Sequence, residues 1–388
     1  MYSPTKLRLV QQFIKYPRYL LFLLGQKFRF YFRYCWIKKR LESDRPVPPP
    51  LVYKLYLTLN CPLRCSPCMF WGKNGTLVNG RDSAAGTEMP GEVISRIFRE
   101  AGRFHPSFIL SGGEPLLYSG FKELSTLLKK HRCFAYVCTN GLDIEKNLEA
   151  IKNNPYLVFY ISLDGTREIN DRLRGAGVHD RVVKSIQLLK QLRPAPYVGI
   201  QFTLQTENVG CLYETVREAV ELGTDWFLIN LQWFVTPEQA TAYKKVLSEK
   251  FGVVPKSHQG FARDFPLEKE EFVRQAKKIQ AEKWPIQISS YLKKPEDIHA
   301  YLDQPDVNPY NNFCYKEWVR MDVMPDGRVT PCIQFPDLNF GSLKDKTILE
   351  IWNGKEFQNF RQQIKKELLP VCGKCYCLYL YDAGRVIL

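Results

Sequence analysis

Tyr53-Lys-Leu-Tyr-Leu-Thr-Leu59-Asn60-Cys61-Pro-Leu-Arg-Cys65-Ser-Pro-Cys68-Met69 places three cysteines directly behind an apolar, β-prone segment. Residues 53–59 read as a buried strand. The thiols that follow are spaced C-x3-C-x2-C, all within residues 61–68. With no secretory signal evident, cysteines this dense are expected to bind metal rather than to pair with one another. Three thiolates suit an iron–sulfur cluster that keeps one iron without a protein ligand. Zinc is the competing reading, but a structural zinc site is normally closed by four ligands and no fourth is nearby in sequence.

Moving outward from this run, strand and helix patterns alternate. Strands are expected at 53–59, 108–110, 134–138, 157–163, 198–204 and 226–231, with helices at 92–104, 121–131, 145–153, 181–192 and 212–222. Such alternation argues for a parallel sheet clothed by helices. Residues 232–312 break the pattern with charged helical stretches and Pro-bearing loops, and no chemistry is legible there. Residues 313–388 form a cysteine-bearing module with a hairpin, Val319–Met324 and Arg328–Ile333 about the turn Pro325-Asp-Gly327. The expected division is 1–50, 51–231, 232–312 and 313–388.

The run Asn60-CPLRCSPC-Met69 resembles the signature of the radical S-adenosylmethionine (SAM) superfamily. Three further segments agree in order: Ser111-Gly112-Gly113-Glu114-Pro115, Thr139-Asn140-Gly141 and Ser162-Leu163-Asp164-Gly165, each behind a successive strand. The resemblance implies an α/β fold, a partial (β/α)6 TIM-like barrel whose C-terminal rim gathers these loops. It implies a [4Fe–4S] cluster on Cys61, Cys65 and Cys68, with SAM on the open iron. Gly112 and Gly113 would let backbone approach the cofactor. Glu114 would meet its ammonium end, Ser162 and Asp164 its ribose hydroxyls, and Asn140 would also lie at the cofactor. Thr139 and Asn140 are softer candidates, because Asn-Gly is a common turn. One departure stands out: the family carries an aromatic residue before the third cysteine, and here that position is Pro67, so Phe70 or Trp71 would have to supply the ring.

Cys314 and Cys332 flank Gly327 as C-x12-G-x4-C, and Cys372-Gly-Lys-Cys375 follows. This resembles the C-terminal SPASM/twitch extension of the same superfamily. It implies one auxiliary [4Fe–4S] cluster on Cys314, Cys332, Cys372 and Cys375, with Cys377 as an alternative to Cys375. Zinc at these four thiols is the competing reading. Cys35, Cys133, Cys138 and Cys211 are read as core or incidental residues.

The 388 residues are 45% hydrophobic and 24% charged, a globular mix that excludes wholesale disorder. Twelve cysteines are too few for a disulfide scaffold. Of the formal net charge of +15, residues 1–50 hold eleven Lys or Arg against Glu42 and Asp44. That segment is also rich in aromatics, and it ends at Arg45-Pro-Val-Pro-Pro-Pro50, a stiff linker. It reads as a basic helical arm, too polar to span a bilayer. Either it lies on an anionic membrane surface or it docks on the protein's own body with solvated cations outside. No nucleic-acid module is recognisable, so nucleic acid is not an expected partner.

The resemblance therefore implies an oxidoreductase-like enzyme that cleaves SAM reductively to a 5′-deoxyadenosyl radical, drawing electrons from a flavodoxin or ferredoxin. The expected site of action is the cytoplasm, at most peripheral on the inner membrane face. Two substrate classes compete. A small-molecule or lipid/glycan-linked substrate is preferred, because the first 50 residues are short for a peptide-recognition domain. A ribosomally made peptide is the alternative, and a non-enzymatic electron-transfer protein is a remote third. Gln201, Asn230, Gln232 and Trp233 lie near strand ends as substrate candidates, and no catalytic acid or base can be named.

Overall fold

Every residue of strand β1 (Val52–Thr58) is buried, the condition of a strand flanked on both edges and covered on both faces. The computed structural model describes residues 14–40, 46–73, 75–77, 87–262, 265–304, 306, 308, 313–375 and 377–378. β1 pairs in parallel with β2 (Ser107–Gly112), which leads through β3 (Ala135–Thr139), β4 (Leu157–Ser162) and β5 (Tyr197–Leu204) to β6 (Trp226–Leu231), all parallel. Among the described residues the sheet goes beyond the six expected strands, in the order β7-β6-β5-β4-β3-β2-β1-β8-β9.

The extra strands come from segments whose sequence hid them. β7 (Gln287–Ser290) lies in the stretch read as a connector and pairs in parallel with β6. Four residues, three of them polar, give no usable periodicity. β8 (Arg320–Val323) and β9 (Val329–Thr330) are the expected hairpin. β8 also pairs in parallel with β1, so the cysteine-bearing extension continues the barrel's own sheet. The outer helices fall close to expectation, with two exceptions. The helix read at 145–153 is a short 3₁₀ turn (Glu145–Asn147) followed by Leu148–Lys152. A helix that sequence missed, Arg167–Arg174, precedes Val178–Gln191 between β4 and β5.

Register identifies the side chains that share one face. Lys54 stands opposite Ile109 and Asp322, Tyr136 opposite Val158, Cys138 opposite Tyr160, Ser162 opposite Gln201, and Thr203 opposite Asn230. This face is aromatic toward the strand starts, where the Tyr160 ring lies 5.3 Å from Tyr136 and 4.7 Å from Trp226. Toward the strand ends it turns polar and only half-buried, with Ser111, Cys138, Ser162, Gln201 and Asn230. The interior therefore has a packed floor and an open polar rim.

The floor is completed by helix α1 (Pro17–Arg40) of the basic arm. Tyr19 enters between Tyr197 at 4.9 Å, Phe134 at 5.5 Å and Tyr136 at 6.3 Å. Just before the helix, the Tyr16 hydroxyl lies 2.9 Å from both carboxylate oxygens of Asp225, which also pairs with Lys15 and Lys190. Further along, Arg29 donates to the carbonyls of Phe104 and His105, and Arg33 to those of Pro48, Pro49 and Trp318. All these partners sit at or just before the starts of strands. The described part of the arm docks on the protein's own body through one face of this helix. No helix among the described residues is long and apolar enough to cross a membrane.

Candidate cluster and cofactor site

Parallel strands carry all their C-terminal ends to one rim, so the four motif segments behind β1, β2, β3 and β4 meet there by topology alone. Cys61, Cys65 and Cys68 occupy the irregular loop behind β1 and are all half-buried free thiols. Each thiol receives an N–H donor. Asn140 Nδ2 donates to Cys61 Sγ at 3.8 Å, Arg174 Nη1 to Cys65 Sγ at 3.8 Å, and the Trp71 backbone N–H to Cys68 Sγ at 3.3 Å. Donors aimed at sulfur favour the thiolate, the form that binds iron. Without metal, burial pushes the Cys61 thiol up to about 12 and raises Cys65 as well, with Arg174 pulling Cys65 back.

Gly112 and Gly113 bring β2 against this loop. The Gly113 N–H donates to the Thr58 carbonyl at 2.7 Å, and the Glu114 N–H to that of Asn60 at 2.8 Å. A Cβ on Gly113 would stand 2.3 Å from Asn60 O and 2.4 Å from Leu59 O, and one on Gly112 would stand 2.2 Å from Thr58 O. These glycines permit a close approach to the chain leading into Cys61. Gly113→Ala is expected to cost about 1–3 kcal/mol by overpacking. It should also lower the iron retained after reconstitution, because the displaced backbone adjoins a cluster ligand. Thermal unfolding and iron per chain check both.

Glu114 is fully buried and binds the end of β3. One oxygen accepts from Thr139 Oγ1 at 2.7 Å and from Leu116 N–H at 3.0 Å, and the other from Asn140 N–H at 2.8 Å. Burial pushes its carboxyl up to about 7, against those three donors. A carboxylate has about four acceptor positions, and three of them are used. Thr139 and Asn140, the softest of the expected residues, are what hold Glu114 in place.

Asp164 is held from within the fold. Its carboxylate has no exposed surface. One oxygen accepts the Thr203 N–H at 2.7 Å, and the other lies 2.6 Å from Arg174 Nη2. Burial pushes the carboxyl up, and Arg174 and Thr203 pull against it. The Asp164 backbone is itself tied down, its N–H donating to Asn170 Oδ1 and its carbonyl accepting from Asn208 Nδ2. The group read as a ribose acceptor thus has the Thr203 N–H and the Arg174 guanidinium against its oxygens, and Ser162 remains half-buried at the rim. Sequence reasoning missed Arg174, which links Asp164 to Cys65. Its only signal was an arginine before a glycine, ten residues beyond the aspartate.

The two proposed adenine rings are both engaged. Phe70 is buried against Tyr56, with ring centroids 5.4 Å apart. Trp71 donates Nε1–H to Leu59 O at 2.7 Å and has the Arg64 guanidinium 4.0 Å over its ring. Trp233 lies between the rings of Phe261 and Phe335 at 5.4 and 5.2 Å, and Gln232 is buried with its carbonyl accepting from Tyr301. Gln201 and Asn230 stay half-buried on the rim.

In the extension, Cys314 precedes the 3₁₀ turn Tyr315–Trp318, Cys332 follows β9, and the turn Pro370–Lys374 carries Cys372 ahead of Cys375. The field of Cys377 reaches Cys314, Cys332 and Cys372, and burial raises all three. Its hydrogen bond with Cys375, together with Arg320 and Lys316, pulls Cys377 itself down to about 6. The hairpin that leads to Cys332 also carries a buried ionic group. Asp322 lies 2.7 Å from Arg320 and 3.0 Å from Lys316, and Lys316 lies 2.9 Å from Glu317. Among the described residues no three His, Cys, Asp or Glu side chains converge as a single-ion site.

The radical SAM superfamily model matches residues 55–219, and an iron–sulfur cluster-binding (SPASM) domain model matches 314–376. The chain belongs to the radical SAM superfamily. The SPASM match includes Cys375 and ends before Cys377. Among curated relatives, the mycofactocin maturase of Mycobacterium tuberculosis is 29% identical over 49% of this chain and 47% of its own length. The pre-heme d1 synthase of Dinoroseobacter shibae is 30% identical over 48% and 44%. The PqqA peptide cyclase of Ruegeria pomeroyi is 25% identical over 82% and 78%. The chain thus spans about half the length of the first two and more of the third. Streptococcus suis SuiB, solved with its precursor peptide SuiA, superposes with a TM-score of 0.61 at 17% identity over 85% of this chain and 70% of that one, a likeness of fold. The superfamily's cofactors are a [4Fe–4S] cluster and SAM, with auxiliary clusters in SPASM extensions. The donor chemistry at Cys61, Cys65 and Cys68 fits the first, and the gathered thiols of the extension fit the second.

Proposed function

We propose that this radical SAM protein removes hydrogen from an unactivated C–H bond of a ribosomally made peptide. The observation that carries the reaction class is the set of three thiols, each met by its own N–H donor, on the rim of an open barrel. When bound there, the cluster and SAM supply a 5′-deoxyadenosyl radical. The chain's own part is to bind and orient. Cys61, Cys65 and Cys68 hold the cluster. Glu114, braced by Thr139 and Asn140, presents its remaining acceptor position to the ammonium end of SAM. Ser162, Gln201 and Asn230 line the rim, where substrate would enter. The packed floor of Tyr19, Tyr136, Tyr160 and Trp226 closes the other end to water. Cys314, Cys332 and Cys372, with Cys375 or Cys377, would hold the auxiliary cluster.

The peptide reading replaces a small or lipid-linked substrate as the preferred one. Relatives that align over most of both chains include a peptide cyclase and a sulfatase-maturating enzyme, whereas the pre-heme d1 synthase matches over less than half of each. A small-molecule substrate stays as the second reading on the strength of that match.

The test is anaerobic reconstitution followed by dithionite and SAM. The expected result is 5′-deoxyadenosine well above a Cys65→Ala control, with about eight irons per chain. Release no greater than the control would overturn the reaction class. About four irons would overturn the auxiliary cluster alone. Peptides encoded beside the gene should change mass in a SAM-dependent way. If they stay unchanged while a small molecule is consumed, the second reading takes over.

A further inference from the structure

Helix α1 has two apolar faces, and the docked face accounts for only one. Tyr19, Gln26, Phe30, Arg33 and Ile37 are buried against the strand starts. Leu21, Leu24, Phe28, Tyr31 and Phe32 are 50–67% exposed. At 100° per residue these five fall within a single arc of about 100°, diametrically opposite the docked one. A helix that merely covered the barrel floor would present polar residues there. Three aromatic rings and two leucines in continuous register form an unpartnered apolar stripe instead.

The surrounding charge identifies the occupant. α1 carries seven Lys or Arg and no Asp or Glu. Arg29 and Arg33 are spent on backbone carbonyls, whereas Arg18, Lys27, Lys38 and Lys39 are exposed along the stripe or at its edges. Beside the start of the helix lies a cleft of about 610 Å³ whose lining includes Lys15, Arg18, Lys129, Lys152 and Arg193 and no carboxylate. A second copy of this chain would bring like charge against like, and α1 offers no acid to pair with a basic partner. Aromatic and aliphatic side chains framed by cations match the headgroup boundary of an anionic bilayer.

We propose that α1 seats the protein on an anionic lipid surface through Leu21, Leu24, Phe28, Tyr31 and Phe32, with the barrel floor toward the membrane. The consequence is directional. α1 crosses the starts of the strands, so the rim bearing Cys61, Cys65 and Cys68 faces away from the bilayer. Substrate then arrives from the aqueous side, and a molecule held within that same bilayer is out of reach. The proposal does not depend on the reaction assigned above.

The test is flotation of the full chain with vesicles of phosphatidylglycerol and phosphatidylcholine, compared with phosphatidylcholine alone. Wild type is expected to float with the anionic vesicles and to be released by salt. Leu21→Ser, Phe28→Ser and Phe32→Ser combined should lower partitioning at least about tenfold. Lys27→Glu with Lys38→Glu should weaken it while leaving the apolar stripe intact. Circular dichroism checks that these exposed substitutions leave the fold unchanged. Failure of wild type to prefer anionic vesicles, or equal flotation of the triple variant, would overturn the proposal. So would a lipid-free dimer that the triple variant dissociates, which would assign the stripe to a second copy.

Discussion

Asp322→Ala is expected to lower the free energy of unfolding by about 3–5 kcal/mol, because it removes the buried anion shared by Arg320 and Lys316 and leaves Lys316 to Glu317 alone. Arg320 and Lys316 are 1% and 2% exposed and both lie within about 3 Å of the Asp322 carboxylate. Burial alone would raise that carboxyl, but Arg320 and Lys316 overcome it and hold it below the usual range. Its contribution is therefore fully present above the unfolded value of about 3.9 and is lost as pH falls through the depressed folded value. The variant should show a shallower loss of stability in acid than wild type. One Asp322 oxygen also accepts the Ile333 N–H at 3.1 Å, next to Cys332. Iron after reconstitution should then fall toward about four per chain, the content of one cluster, while the thiols behind β1 stay loaded. Urea unfolding and iron analysis measure the two effects. An unchanged midpoint would show that the cations have found other partners.

The ionic group around Asp322 was invisible in the sequence, whereas the cysteines it supports were plain, and the contrast has a physical origin. Metal chemistry demands particular side chains at short spacings, so Cys61, Cys65 and Cys68 declare themselves within one loop. The six barrel strands were legible for a related reason: strands covered on both faces are largely apolar, as β1 is apart from Lys54 and Thr58. β7 was not, because Gln287–Ser290 takes its strand conformation from pairing with β6 and not from its own composition. The same holds for side chains that serve others. Trp233 at a strand end looked available for substrate, yet its surroundings come from Phe261 and Phe335, which are remote in sequence. Asp164 matched a motif, but the motif could not reveal that Arg174 and Thr203 lie against its two oxygens. α1 gave its charge away at once, and only the docked structure separates the face that plugs the barrel from the face that does not.

Arg174→Ala is the second substitution with a large expected effect, and it tests whether Asp164 supports the cluster loop through Arg174. The Asp164 carboxylate is fully buried, and among the described residues Arg174 is the cation that acts on it. Removing one partner of a buried pair costs about 3–5 kcal/mol, because the other charge is left in low dielectric. The bare carboxylate can escape that cost only by binding a proton. Its folded pKa, already raised by burial, should rise further above the unfolded value of about 3.9. A raised folded pKa means that folding takes up a proton, so the variant loses stability as pH rises from about 4 toward that folded value. Its deficit relative to wild type should be small in mild acid and largest in neutral or alkaline solution. Asp164→Asn in the same background removes the stranded charge and should recover much of the loss, giving a coupling energy of about 1–3 kcal/mol in a double-mutant cycle. Stability recovered in this way should not restore the cluster fully, because Cys65 still lacks the guanidinium donor at 3.8 Å. A double variant that regains both stability and iron would confine Arg174 to neutralising Asp164. One that regains stability alone makes Arg174 the link by which a buried aspartate behind β4 positions a thiol behind β1.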